Sequence, residues 1–145
     1  MKKLILAIAL AALSASATFA DPIEDRQAIM KAMGKAVGSV VPIAKGEAPF
    51  DAAAVAAAFA TINENAQKID VAALFPAGSN TGESTAGPKI WEDAAGFQAA
   101  MDKYKADVAA AVAATSADLA TFQAQFGAVT KNCGACHEVY RIKKG

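Results

Sequence analysis

The sequence predicts an all-α protein, an antiparallel four-helix bundle, and three observations carry that prediction. Alanine makes up about a quarter of the 145 residues, a bias that favours helix. Apolar residues recur at i, i+3 and i+4 in four windows, while strand-like alternation appears nowhere. Proline and glycine gather between those windows, at Pro42, Gly46 and Pro49 and again at Pro76, Gly78, Gly82, Gly87 and Pro88. The length fits one domain. Fourteen basic residues balance fourteen acidic ones, which excludes a basic nucleic-acid surface and a disordered acidic chain. Bulky core residues are scarce, with Leu74 and Leu119 the only leucines beyond residue 20.

The chain opens with Lys2 and Lys3, an apolar run from Leu4 to Leu13, and small residues from Ser14 to Ala20. These are the three parts of a secretory signal peptide, and the run is too short to span a bilayer comfortably. Cleavage is expected after Ala20, leaving a slightly acidic domain over residues 21–145 in the bacterial periplasm. The first helix begins there, with Asp21 as cap, Pro22 at the first helical position and Glu24 at capping-box spacing. Its apolar face is Ile23, Met30, Met33, Val37, Val40 and Val41. A second helix starts at Asp51 and carries Val55, Phe59, Ile62 and Ile69. The third runs from about Trp91 to Thr115 with Phe97, Met101, Tyr104, Val108 and Val112. After a tight break at Thr115-Ser116-Ala117-Asp118, the fourth runs to about Lys143 with Leu119, Phe122, Phe126, Val129 and Val139. Residues 71–90 form a link long enough to pack over something.

The two cysteines and the one histidine stand together as Cys133-Gly134-Ala135-Cys136-His137. This is the attachment motif of c-type haem. Two thiols must add to the vinyl groups along one haem edge, and the adjacent imidazole must reach the iron from one face. Helical spacing puts Cys133, Cys136 and His137 on one side of the fourth helix. A redox dithiol belongs in a βαβ setting that is missing here. A disulfide leaves His137 unexplained, and zinc would find only three ligands. One haem c is therefore expected, with His137 as axial ligand to iron. A second histidine ligand within the chain is impossible, so the sixth position falls to methionine, lysine, water, a backbone group or nothing. Beyond the leader the methionines are Met30, Met33 and Met101.

Three segments resemble class II c-type cytochromes, the cytochrome c′ family: Cys133-x-x-Cys136-His137-x-x-Tyr140-Arg141, Pro88-Lys89-Ile90-Trp91, and Lys45 through Asp51. The late haem motif is distinctive, and the resemblance covers nearly the whole chain after the leader. It implies a four-helix bundle with haem inside. Within that family, high-spin members leave the sixth position open to nitric oxide or carbon monoxide, whereas low-spin relatives fill it with methionine and carry electrons. Arg26 and Gln27 match the family's Arg-Gln pair, which places Met30 at the distal position. The resemblance thus implies Met30 as metal ligand beside His137, and Arg26 as the contact to a haem propionate. It further implies Arg141 shielding the proximal face, where the last helical turn offers it a capping role as well.

The expected function is a periplasmic low-spin electron carrier with His/Met-ligated haem, not an enzyme, since no distal histidine can act as acid or base. The alternative is a high-spin cytochrome with an open distal site. Expected partners are transient redox proteins; Lys131, Arg141, Lys143 and Lys144 read first as a solvated helix end that complements the dipole, and second as a docking cluster. Homodimerisation through the first two helices is the family's habit, and neither nucleic acid nor membrane is an expected partner after cleavage.

Overall fold

The computed structural model describes residues 21–143, so the leader expected over residues 1–20 lies outside the described residues. The described residues form α1 (Pro22–Ala44), α2 (Ala52–Gln67), α3 (Val71–Leu74), α4 (Lys89–Glu92), α5 (Ala94–Ala114) and α6 (Leu119–Tyr140), without a named strand. Four long helices make the expected bundle, and two short ones interrupt the 68–93 connection.

Aspartates start the long helices. Asp21 accepts a hydrogen bond from the Ile23 amide at 2.8 Å, with Pro22 behind it in the first turn. Asp51 accepts from Ala53 and Ala54 at 2.9 and 3.0 Å, and Asp118 accepts from Thr121 at 2.8 Å. Such caps satisfy amides that have no partner within the helix, each worth about 1 kcal/mol.

Two boundaries differ from expectation. Pro42 lies inside α1 rather than in the connection. Its carbonyl still accepts from Glu47 and Ala48, so the chain folds back one turn later. The third long helix starts after Asp93, not at Trp91. Asp93 leaves helical geometry (φ −131°, ψ 56°) and caps Gly96 at 3.2 Å, which cuts α4 from α5.

The α5–α6 turn falls at Thr115, as expected, but with φ +44°, where a β-branched residue is strained. Thr115→Gly should raise stability by roughly 1 kcal/mol, read as a higher urea midpoint at unchanged slope.

Helix α1 packs on α2, α2 on α5 and α5 on α6, while α6 returns to α1 along a shorter front. The most fully buried side chains are Phe122, Ile62, Ile69, Val40, Val55, Val108 and Val129. Rings cluster at both ends. Phe50, Phe59 and Phe126 surround Phe122 at one end, and Phe97 meets Phe75 and Tyr140 edge-on at the other. Val112 and Val139, expected inside, are 39% and 50% exposed. On α5 the inward row continues from Val108 to Ala111. On α6 it runs through Val129, Cys133, Cys136 and Tyr140, turning Val139 outward.

Candidate haem-binding site

Where α1 and α6 separate, a cavity of about 530 Å³ opens between them, floored by α5 and roofed by the 75–86 segment. Its apolar walls are Met30, Met33 and Val37 from α1, Phe97 and Met101 from α5, and Ile90. Cys133, Cys136 and His137 all line it, one helical face presenting both thiols and the imidazole.

Burial sets the protonation of the three donors. Burial pushes the Cys133 thiol up, and burial with the nearby Cys133 takes Cys136 to about 11, so both are neutral thiols at neutral pH. Burial, then the Arg141 charge, lowers His137, favouring the neutral imidazole that a metal requires. Among the described residues no group of three or more His, Cys, Asp or Glu side chains is placed to hold a metal ion. One imidazole beside two thiols fits an iron carried in by a haem. Haem, a rigid and largely apolar plate, matches the apolar walls and the thiol pair.

The methionines separate by position. The Met33 sulfur is buried and accepts a hydrogen bond from the Tyr104 hydroxyl at 3.2 Å. Met101 is buried on α5. Met30 is half-buried on the α1 wall, opposite the helix that carries His137.

Arg26 is 5% exposed at the cavity edge. It donates to the Leu74 carbonyl (2.9 Å), the Ser79 hydroxyl (2.9 Å), the Ser79 carbonyl and the Ser84 hydroxyl (2.5 Å), and its guanidinium lies 5.0 Å from the Phe75 ring centre. One arginine thus gathers the whole 74–84 segment onto α1. The other end of that segment clasps α6. The Gly87 amide donates to the Tyr140 carbonyl at 2.8 Å, the Ile142 amide to the Thr85 carbonyl at 3.0 Å, and Arg141 Nε to the Thr85 hydroxyl at 3.3 Å. The Arg141 amide also donates to the His137 carbonyl and closes the last turn of α6. A Cβ on Gly87 would stand 2.9 Å from the Tyr140 carbonyl oxygen. Gly87→Ala should push the strap off α6 and cost about 1–3 kcal/mol, seen as a lower melting temperature of the haem-loaded protein.

Trp91 does not line the cavity. Its indole N–H donates to the Phe75 carbonyl at 3.0 Å and anchors the strap, while neighbouring Ile90 supplies the wall. Sequence reasoning missed Ser79, Ser84, Phe75 and Ile90. The only local signal for them was the length of the 71–90 link.

Comparison with known proteins agrees with this geometry. The family model described as Cytochrome C′ matches residues 21–141. The chain belongs to the cytochrome c′ family. Cytochrome c′ from Rhodopseudomonas palustris is 44% identical over 86% of this chain and 84% of its own, and a solved structure of it aligns with a TM-score of 0.79 at 42% identity, covering 87% and 99% of the two chains. Cytochrome c-556 from Agrobacterium fabrum is 39% identical, covering 99% of this chain and 97% of its own. A nitric oxide complex of a mutant cytochrome c prime from Alcaligenes xylosoxidans aligns at 34% identity with a TM-score of 0.73, covering 84% and 94%. Membership of the cytochrome c′ family carries one covalent haem c, for which Cys133 and Cys136 supply the thiols.

These neighbours overturn the expected low-spin electron carrier with Met30 bonded to iron. Solved relatives of this fold include cytochromes c′, two of them mutants of the Alcaligenes protein holding nitric oxide, which favours the open-site alternative. The expectation rested on residue type at one helical position. A thioether in the wall of an apolar cavity is equally an ordinary packing group.

Proposed function

We propose that this chain is a periplasmic haem protein whose sixth iron position stays open and binds a small diatomic gas, nitric oxide or carbon monoxide. The observation that carries this reading is the wall opposite His137. It presents Met30, Gly34 and Val37 and no histidine, Lys31 on the same helix is exposed, and the buried thioether there, Met33, is held by Tyr104. The nitric oxide complex of the Alcaligenes relative supports it. Haem, when bound, supplies the iron that the gas ligates.

The chain's own residues do the rest. Cys133 and Cys136 would hold the haem in the bundle through thioether bonds, and His137 would ligate its iron. Apolar residues of α1, facing α6 across the cavity, would exclude water and bulky ligands, so selectivity would come from size and polarity. Arg26 and the strap it anchors close the edge. The first twenty residues are assigned to an export leader, consistent with a family match that begins at residue 21, and no described helix is long and apolar enough to cross a membrane. The exposed Ala52–Ala54, Ala56, Ala57 and Ala60 on α2 suit homodimer packing.

Titrating the reduced protein anaerobically with carbon monoxide and with nitric oxide tests the reading. Saturable binding, one gas per haem, is the expected result. A visible spectrum unmoved by either gas refutes it.

A further inference from the structure

Ser84 and Arg26 form a polar corner in an otherwise apolar cavity, and its hydrogen bonds do not close. Both residues are at least nine-tenths buried, at 4% and 5% exposure, and both line the cavity. Four of the five guanidinium N–H donors are committed to neutral oxygens of the 74–84 segment. No carboxylate takes part. The ion pairs among the described residues join Lys68 to Glu64 and Lys103 to Asp107, and neither involves Arg26. A buried cation surrounded by neutral acceptors is unfavourable without a nearby anion. Burial accordingly lowers the Arg26 pKa, and Asp21 offsets this only partly.

Ser84 shows the same deficit from the donor side. Its hydroxyl oxygen accepts from Arg26 at 2.5 Å and from the Ala86 amide at 3.2 Å. Two bonds occupy both lone pairs of a hydroxyl, so the remaining valence is the O–H proton, which must donate. Ser79, the other serine on the same guanidinium, does not line the cavity.

We propose that Ser84 is a direct hydrogen-bond donor to a carboxylate in this corner, the haem's own propionate, with Arg26 supplying the charge and its fifth N–H. The pairing satisfies both open donors and gives the buried cation its anion. It also gives the strap a second task. Ser84 ties the carboxylate to the Ala86 amide, and Ala86 is bridged to Arg141 on the helix end that carries His137. The inference rests on haem occupying the cavity and is independent of whether the sixth position is open.

Resonance Raman spectroscopy of the haem-loaded protein tests it through the propionate bending band, which a merely structural serine does not move. Ser84→Ala should shift that band down by loss of one donor, and Ser84→Thr, which keeps the hydroxyl, should restore it. Ser79→Ala removes a bond to the same guanidinium outside the cavity and should leave the band in place. An unchanged band in Ser84→Ala, or an equal shift in Ser79→Ala, overturns the proposal. Should Ser84→Ala fail to fold, a crystal structure of the unaltered haem-loaded protein decides. Ser84 Oγ within hydrogen-bond distance of a propionate oxygen supports the assignment, whereas a water or the Asp21 carboxylate in the corner refutes it. A protein that carries no haem would show no propionate band at all, so failure of the haem assignment is distinguishable from failure of this one.

Discussion

A chain with Cys133 and Cys136 both replaced by alanine, purified without haem, should lose its cooperative fold. The cavity between α1 and α6 measures about 530 Å³. Without the plate its apolar walls face solvent, and apolar surface left in water costs roughly 25 cal/mol per Å², a loss on the order of several kcal/mol. A typical domain has only about 5–15 kcal/mol of stability in all. Alanine-rich helices cannot recover the difference by local packing, because their side chains are too short to reach across the gap. The expected product keeps part of its far-ultraviolet circular dichroism, since helix propensity is high. It should lose its near-ultraviolet signal and bind a hydrophobic dye, the behaviour of a collapsed but unpacked state. Equal melting temperatures for haem-free and haem-loaded protein would show that the bundle packs without the plate.

The second large effect concerns Met30. Its side chain forms part of the α1 wall that faces the helix of His137, so an entering gas molecule meets it. If it packs there without bonding, Met30→Ala relieves crowding of the kind that costs about 1–3 kcal/mol. Gas affinity should rise roughly tenfold or more, while the coordination state of the gas-free protein stays the same. Met30→Leu conserves volume and should change neither property appreciably. Flash photolysis of the carbon monoxide complex measures both variants. Equal affinities for Met30→Ala and the parent protein would place Met30 away from the open position.

Local features were the legible part of the fold. Asp21, Asp51 and Asp118 stand at helix starts, where capping is settled within three residues, and each accepts from an amide of its first turn. The haem motif is equally local, and the structure places its three side chains in one cavity. Asp93 was hidden because the third helix reads as already begun at about Trp91, and the residue that helps fix Asp93 is distant. The Tyr140 hydroxyl donates to it at 3.1 Å from the far end of α6.

The strap shows the same limit more strongly. Resemblance singled out Arg26, yet its partners Ser79 and Ser84 lie 53 and 58 residues away, and no periodicity links them. Two glycines with positive φ, Gly78 (+80°) and Gly82 (+60°), turn that segment back on itself and bring the serines to one guanidinium. Lys131, Arg141 and Lys143 are indeed exposed near the haem-bearing helix end. The role of Met30 was the least legible. Whether a thioether bonds iron depends on fractions of an ångström and on helix placement, neither of which residue type encodes. The scarcity of leucine was the most informative global feature, because it pointed to a core filled by something other than side chains.

Ferrous, gas-free protein at neutral pH offers the most direct test of an iron held by His137 alone within the bundle. Its resonance Raman coordination and spin markers should be those of a five-coordinate high-spin haem, with an iron–histidine stretch visible. Markers of a six-coordinate low-spin haem, together with a sulfur-to-iron charge-transfer band in the oxidised protein, would contradict the account.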